Sequence, residues 1–598
     1  MDLDSALHQH FGFSGFRRGQ REACEAALAG RDALVVMPTG SGKSLCYQLP
    51  ALLRDDLAIV VSPLVALMQD QVEALAARGL GDRVALVNAQ QDASANSEVL
   101  RRAADGSLRL LYVAPERFSS PGFLDKLRDV RVGLFVVDEA HCVSQWGHDF
   151  RPDYFRLADA ARHLGAVSLF ASTATATPRV ATDVVRRLAL QEPVRVVTGF
   201  DRPNLSFTVV RPGGSQKQAL LVEALKAPDA LPAIVYAGTR AGSEELAEAL
   251  TSALGEEAAA YHAGLERAHR ADVQRRFLAD DLRVVVATNA FGMGVDKPNV
   301  RTVVHATVPS SLEAYYQEAG RGGRDGAPAR ALLLAEARDK ALHVHFIKRD
   351  ELDEGLPRRL AALLENDARR GARPVQETLD GSAPPPLRYQ LEVRGLAREL
   401  RCNADQLRAL LGHLARAGAI QPAPSAPDRV AGRIERPFDR HVDTLVRASI
   451  ADAARARWRQ YREAWAYVEG SECRRRAILR HFGDHSDPAP EVACCDVCDP
   501  SLAPVPPPPD PVALESLDDA IISVARAAKP AVGRTTCAEI LHGARTKKIE
   551  RNAYDGLAAY ATAARQRRAD ILARIDELID AGQLATSGGA YPVLRVPA

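Results

Sequence analysis

Leu34-Val35-Val36-Met37-Pro38-Thr39-Gly40-Ser41-Gly42-Lys43-Ser44 decides how the chain is read. Its first four residues form an apolar run, the pattern of a strand buried on both faces of a parallel sheet. The run breaks into a glycine-rich turn that is predicted to open a helix. Glycines let backbone wrap closely around a phosphate, and the amide N–H groups and the helix N-terminus then face it. Thr39, Gly40, Ser41 and Gly42 are the candidate cradle. Lys43 would reach the β- and γ-phosphates, and the Ser44 hydroxyl would ligate Mg²⁺. The strict pattern starts with Gly where this chain has Met37, so a plain glycine-rich turn stays open on this stretch alone.

The same alternation continues outward. Ala58-Ile59-Val60-Val61, Leu134-Phe135-Val136-Val137 and Val284-Val285-Val286-Ala287 are further apolar runs between amphipathic helical stretches. One set covers residues 20–195 and a second 215–345, after Phe200-Asp201-Arg202-Pro203-Asn204. Two α/β domains in tandem, with a cleft between them, are predicted. The run at 134–137 delivers Asp138-Glu139-Ala140-His141. Asp138 is assigned to Mg²⁺ and Glu139 to the attacking water. In the second set, Tyr316-Gln317-Glu318-Ala319-Gly320-Arg321-Gly322-Gly323-Arg324-Asp325 places two arginines three residues apart, on one face of a helical turn. Guanidinium groups suit bidentate phosphate contacts and the charge that develops in phosphoryl transfer. Lys43, Asp138, Glu139, Gln317, Arg321 and Arg324 are the candidate catalytic set. If the arginines reach the phosphate loop, ATP closes the cleft and hydrolysis reopens it.

Composition sets the limits. At 598 residues, about three to five domains are expected. Lys+Arg total 77 against 76 Asp+Glu, which excludes a globally basic nucleic-acid coat protein but leaves a local basic groove possible. No apolar stretch is long enough for a membrane span, and the start Met1-Asp2-Leu3-Asp4 lacks a signal-peptide layout. Nine cysteines in so long a chain point to a reducing cytoplasm and to metal ligation rather than disulfides. Arg far outnumbers Lys, a bias associated with GC-rich bacterial genomes.

Beyond 345 the chain changes character. Residues 374–386 read as a Pro/Gly-rich linker. Helical segments around Leu396–Leu400 and Ala404–Ala417, ending at Gly418, form a candidate helix-turn-helix. Ala448–Phe482 reads as long Arg-rich helix. Cys473, Cys494, Cys495 and Cys498 offer four thiolates, which suit tetrahedral, structural Zn²⁺. The adjacency of Cys494 and Cys495 makes the geometry tight, and His481 or His485 is the alternative ligand. After Pro504–Pro511, helical spacing at 571–581 followed by Ser587-Gly588-Gly589-Ala590 and Tyr591–Val596 suggests a winged helix.

With these residues in view, the first 345 positions resemble a superfamily 2 helicase core of the DEAH-box RecQ type. Phe11-Gly12-Phe13 with Phe16-Arg17-Arg18-Gly19-Gln20 resembles that family's adenine-reading motif. The resemblance implies that Phe13 and Arg17 stack on the base and that Gln20 reads its edge. Ser62-Pro63-Leu64, Ala114-Pro115-Glu116-Arg117, Ser172-Thr173-Ala174-Thr175, Tyr261-His262-Ala263-Gly264-Leu265 and Ala290–Pro298 stand where the family's coupling and DNA-tracking motifs stand. His141-Cys142-Val143-Ser144-Gln145-Trp146-Gly147-His148-Asp149-Phe150-Arg151-Pro152 resembles its aromatic-rich loop. Trp146 and Phe150 can stack on unpaired bases, Arg151 can hold a phosphate, and Gln145 and His148 complete the candidate DNA contacts. The cysteine cluster resembles the family's zinc subdomain. Residues 512–598 resemble its C-terminal winged helix, where Arg545, Lys547, Lys548 and Arg551 could meet duplex phosphates. Tyr591 is either a strand-separating wedge or a turn-packing residue.

The expected architecture is therefore α/β: two tandem RecA-like parallel-sheet domains (1–205 and 206–350), a linker with a winged-helix-like insertion (351–437), a helical zinc-binding subdomain (438–502), a Pro-rich linker (503–511) and a winged helix (512–598). The resemblance implies an ATP- and Mg²⁺-dependent DNA helicase with bound Zn²⁺, moving 3′ to 5′ on single-stranded DNA in repair and recombination. Partners would be single-stranded and duplex DNA, with a single-stranded DNA-binding protein as a candidate. The chain would be a cytoplasmic, nucleoid-associated monomer without membrane contact. The family's helicase-and-RNase-D C-terminal domain is expected to be missing. An RNA helicase sharing the core and a DNA-binding scaffold with a vestigial ATPase are the competing readings.

Overall fold

The computed structural model describes residues 2–597, apart from 89–90, 121, 145–151, 213–215, 293–295, 372–386, 424, 426–427, 505–510, 545 and 588–591. The first sheet contains β1 (Ala33–Val36), β2 (Leu57–Val61), β3 (Val84–Val87), β4 (Leu110–Val113), β5 (Val132–Val137), β6 (Ser168–Thr173) and β7 (Val194–Val197). All its pairings are parallel, in the order β3-β4-β2-β5-β6-β1-β7. The apolar runs are buried along their whole length because helices cover both faces. The chain jumps from β1 over β6 and β5 to β2. The order reverses there, and the crevice beyond the strand ends is where open α/β sheets take ligands. The glycine-rich turn leaves β1 and Asp138 leaves β5, with only β6 between them.

The second sheet repeats the plan with β8 (Leu205–Val210), β9 (Ala233–Tyr236), β10 (Ala258–Tyr261), β11 (Val284–Ala287), β12 (Thr302–His305) and β13 (Ala329–Leu334). It is all parallel, in the order β10-β11-β9-β12-β13-β8. Two RecA-like parallel-sheet domains are thus present, as expected.

The candidate helix-turn-helix belongs to a larger unit. Its helices are Val393–Leu400 and Ala404–Arg416. Arg401 takes φ 54° at the break, and Asn403 caps the second helix in a reciprocal box with Gln406. Strands β14 (Arg388–Glu392), β15 (Ile420–Ala423) and β16 (Arg429–Ile434) form an antiparallel sheet, ordered β14-β16-β15. Helix Leu356–Gly371, which precedes the Pro-rich stretch, shares its core through Leu360 and Leu364. The unit is a winged helix.

Helices Arg440–Glu469 and Arg474–His481 follow. They pack on the passage between the two sheets. Phe482 stacks on Phe200 with centroids 4.4 Å apart, and Asp484 accepts from the Phe200 amide at 3.1 Å. The fully buried Arg475 donates to the Arg202 carbonyl at 2.7 Å and also to Asp201 and the Leu205 carbonyl. The last unit has helices Pro511–Ala527, Arg534–His542 and Arg568–Asp580, then the short pair β17 (Ala585–Thr586) and β18 (Leu594–Arg595). Helices followed by a hairpin were the expectation here. No helix among the described residues is long and apolar enough to cross a membrane.

Candidate nucleotide and zinc sites

The turn after β1 has φ of 79° at Gly40 and 81° at Gly42, values that side-chain-bearing residues rarely adopt. A Cβ on Gly42 would also lie 2.5 Å from Gln20 Nε2. Gln20 Nε2 donates to the carbonyls of Ser41 (2.9 Å) and Gly42 (3.2 Å), while its Oε1 accepts from the Arg17 amide (2.8 Å). Arg17 Nη1 donates to the Gly40 carbonyl at 2.7 Å. Two of the three residues expected to read the base are thus bonded to the cradle itself. Phe13 stands about half exposed beside them, 6.4 Å from Phe11, with the Arg78 guanidinium over both rings.

Lys43 is buried. Burial lowers its pKa, the carboxylates of Glu139 and Asp138 oppose that shift, and Arg324 adds to it. Its Nζ donates to the Met37 carbonyl at 3.2 Å. Burial, and then Glu139, push the Asp138 carboxyl up to about 6. Two adjacent buried carboxylates facing Lys43 offer hard oxygen donors of the kind a divalent cation takes. Ser172 Oγ donates to Asp138 Oδ1 at 2.7 Å. Glu139 sits at φ 48° and lies 3.3 Å from His141 Nδ1, which is 2.9 Å from Thr173 Oγ1.

The arginine-bearing turn closes over this site. Thr39 Oγ1 donates to the Gly320 carbonyl at 3.4 Å, and the Arg324 side chain lies against Gly40. Arg324, Arg17, Thr39, Gly40 and Arg202 line one cavity of 370 Å³ between the domains. Arg321 and Gln317 line a different cavity of 640 Å³, toward Tyr236 and Thr288. The two arginines therefore do not share one helical face. The helix ends at Ala319, and Gly323, at φ 56° and packed against Asn204 and the Ala327 carbonyl, turns the chain between them.

Sequence reasoning missed two positions. Arg202, noted only as part of the inter-domain passage, donates to the carbonyls of Thr39 (3.3 Å), Gly320 (2.9 Å), Gly322 (2.9 Å) and Gly323 (3.3 Å). Tyr154, fully buried, donates through Oη to the Asp138 carbonyl at 3.0 Å. A large aromatic shortly after the 145–151 stretch was the available signal for Tyr154. Gln145, Trp146, His148, Phe150 and Arg151 lie outside the described residues, as do Arg545, Tyr591 and the Lys547 side chain. Lys548 Nζ is engaged by Thr536 Oγ1 at 2.8 Å, and Arg551 is exposed.

The sulfurs of Cys473, Cys494, Cys495 and Cys498 lie within 4.8 Å of one another. Cys473 Sγ is 3.6 Å from Cys494 Sγ and 3.8 Å from Cys495 Sγ. Tetrahedral Zn²⁺ with its usual Zn–S distance sets sulfurs about 3.8 Å apart, so the residues present fit the ion. Adjacent Cys494 and Cys495 both reach it. His481 does not join; it pairs with Glu313 at 3.0 Å. The ligand segment adds to the edge of β8: Phe207 N donates to the Cys494 carbonyl (3.1 Å) and Asp496 N to the Phe207 carbonyl (3.2 Å).

The chain is similar to known proteins over most of its length. Family models match as DEAD/DEAH box helicase over residues 17–184, helicase conserved C-terminal domain over 216–326, RecQ zinc-binding over 440–499 and RQC domain over 515–598. The ATP-dependent DNA helicase RecQ of Pasteurella multocida is 44% identical over 346 residues, covering 58% of this chain and 54% of the relative. The probable ATP-dependent DNA helicase RecS of Bacillus subtilis is 40% identical over 381 residues, 63% of this chain and 75% of the relative. The match thus spans about half of the first relative and three quarters of the second. The solved structure of Mycobacterium smegmatis helicase Lhr bound to ssDNA and AMP-PNP is similar over 76% of this chain and 62% of its own, at 20% identity and TM-score 0.47. A helicase core followed by both a RecQ zinc-binding segment and an RQC domain is a combination that leaves one assignment: the chain belongs to the RecQ family of ATP-dependent DNA helicases.

Proposed function

We infer that the chain is an ATP- and Mg²⁺-dependent helicase that moves 3′ to 5′ on single-stranded DNA and unwinds duplex DNA during repair and recombination. The observation that carries this reading is the closed cleft, in which the Arg324 side chain, its guanidinium held by Asp296, lies against Gly40 of the other domain and close enough for its charge to act on Lys43. Lys43 and the cradle amides would hold the phosphates. Ser44 and Asp138 would hold Mg²⁺, which supplies charge neutralisation at the phosphates. Glu139 would orient the attacking water, and Arg324 would meet the charge that develops across the cleft. Release of that charge lets the domains part, and a strand lying across both is advanced.

The zinc ligands lie against the edge of β8 and, through Arg475, against the hinge at 201–205. Zn²⁺ held by four thiolates has no open coordination position, so its role is to fix that hinge. Gln145, Trp146, His148, Phe150 and Arg151 are proposed to contact the single strand. The test is strand displacement from a duplex carrying either a 3′ or a 5′ single-stranded tail. Displacement that needs ATP and the 3′ tail supports the reading, and displacement from the 5′ tail alone overturns its polarity.

A further inference from the structure

The winged helix of residues 356–434 lies between the helicase core and the zinc helices, outside the four matched ranges. A helix-turn-helix that reads sequence lays its second helix in the major groove, while its first helix crosses the phosphate backbone. In this unit the second helix, Ala404–Arg416, is turned inward. Leu407, Leu410, His413 and Leu414 are buried. Gln406 Nε2 donates to the carbonyls of Arg349 (3.0 Å) and Glu351 (2.9 Å), at the end of the second domain's helix Ala337–Arg349. His413 Nδ1 lies 2.8 Å from Ser449 Oγ on helix Arg440–Glu469. A helix docked in this way does not enter a groove.

The first helix, Val393–Leu400, is presented the other way. Leu396 and Leu400 are buried in the core of the unit. Arg394 and Arg398 stand one turn apart on the opposite face, and Arg401, at the end of the helix, continues the line. At 3.6 residues per turn the three fall within about 60° of one another. All are exposed, and among the described residues none of the three side chains is in an ion pair or a hydrogen bond. Nearby acids do not neutralise them. Asp405 pairs with Arg408 at 3.1 Å, and Glu399 points about 100° around the helix from Arg398. The helix gives no reason of its own for this stripe. Cations one turn apart repel, and Arg394 stands in the first turn, where the macrodipole disfavours positive charge. An anionic partner supplies the missing compensation.

We propose that Arg394, Arg398 and Arg401 form a duplex-DNA surface separate from the nucleotide cleft, on which one phosphate backbone crosses the outer helix and no base is read. The occupant is duplex DNA because the stripe is cationic, unpaired and carried by the backbone-crossing helix of a helix-turn-helix in a DNA helicase family member. Guanidinium contacts of this kind add affinity and salt dependence but no sequence preference. The inference rests on the family assignment, and not on the direction of movement or the role in repair.

The experiment measures binding of blunt duplexes of about 20 base pairs, in two unrelated sequences, to full-length protein by fluorescence anisotropy between about 50 and 300 mM NaCl. One variant combines Arg394→Gln, Arg398→Gln and Arg401→Asn; Asn is chosen because position 401 takes φ 54°, which Asn tolerates. A second combines Arg394→Lys, Arg398→Lys and Arg401→Lys. Zinc content and the unfolding midpoint serve as the folding control. In the neutral variant, affinity at about 100 mM salt should fall at least about tenfold, and the slope of log affinity against log salt should become shallower by about 2 to 3, since each phosphate contact contributes about 0.9. The loss should be equal for both sequences, and the lysine variant should keep the slope. If the neutral triple variant does not fold, Arg398→Gln alone decides, with a slope shallower by about 1. Unchanged affinity and slope in a folded neutral variant overturn the inference and leave the stripe to an acidic protein surface. A loss confined to one sequence also overturns it, because that reports base reading. Stimulation of ATP turnover by single-stranded DNA, measured on the same wild-type sample, reports the helicase reading separately. Stimulated turnover with unchanged duplex binding in the variant sinks only this inference, and unstimulated turnover with the expected loss of slope sinks only that reading.

Discussion

Arg202 of the inter-domain passage donates to the Thr39 carbonyl of the phosphate cradle at 3.3 Å, and the same guanidinium holds three carbonyls of the arginine-bearing turn. One partly buried fork therefore joins both walls of the cleft. Burial lowers its pKa, but an arginine keeps its charge. Arg202→Lys keeps charge and loses the fork. Charged hydrogen bonds of this kind contribute about 1.5–3 kcal/mol, so kcat for DNA-stimulated hydrolysis should fall at least about tenfold. Steady-state kinetics at saturating ATP checks this; an unchanged kcat would remove Arg202 from cleft closure.

Tyr154 ties the segment after residue 151 to the backbone of Asp138. Tyr154→Phe removes one buried hydroxyl and leaves the carbonyl unpaired. A stability loss of about 1 kcal/mol is expected, with weaker DNA stimulation of turnover. Chemical denaturation and DNA titration of the ATPase measure the two effects. Wild-type stimulation in the variant would mean that the tether carries no signal.

Zinc removal should act at a distance from the thiolates. The ligand segment pairs with β8, and Arg475 grips the hinge beside it. Binding of structural Zn²⁺ contributes about 10–16 kcal/mol to folding in small zinc peptides, so stripping it should unfold this module and loosen the hinge. Cys495→Ser should lose one zinc per chain by elemental analysis and show an earlier unfolding step. Zinc retained at full stoichiometry would show that Cys495 is not a ligand.

His413 gives a pH signature. Burial, and then the nearby Arg416 and Arg457, depress its pKa from 6.5 to about 3. Between those values only the unfolded chain takes up the proton, so stability falls as pH drops below 6.5. The slope from this residue approaches about 1.4 kcal/mol per pH unit. His413→Asn cannot titrate and should flatten the decline in unfolding midpoint between pH 6.5 and 5. Parallel pH curves for the variant and wild type would contradict this assignment.

Much of the core was legible because its signals are local. Buried runs at 34–37, 58–61, 134–137 and 284–287 became β1, β2, β5 and β11 with little ambiguity, since a strand covered on both faces must be apolar throughout. The candidate cradle, Asp138 and the four cysteines were singled out from residue type and spacing, and the four sulfurs do come together in the structure. What stayed hidden depends on long-range contact. Nothing near Arg202 in sequence points to Thr39 or Gly320. The helical-turn reading of 320–325 put Arg321 and Arg324 on one face, and consecutive glycines defeat that periodicity. Helix Leu356–Gly371 is cut from its winged helix by the Pro-rich stretch, so the spacing around 396–417 singled out only the two later helices.

The central claim is that nucleotide turnover in the closed cleft is coupled to a bound single strand. The most direct test is ATP hydrolysis with Mg²⁺, with and without single-stranded DNA, on wild type, Lys43→Ala and Arg324→Ala. The account predicts strong DNA stimulation in the wild type. It predicts no turnover in Lys43→Ala, and turnover lowered by at least about a hundredfold in Arg324→Ala, in line with the contribution of arginine fingers. DNA-independent turnover in zinc-loaded, folded wild type, or near-normal turnover in Arg324→Ala, would contradict it.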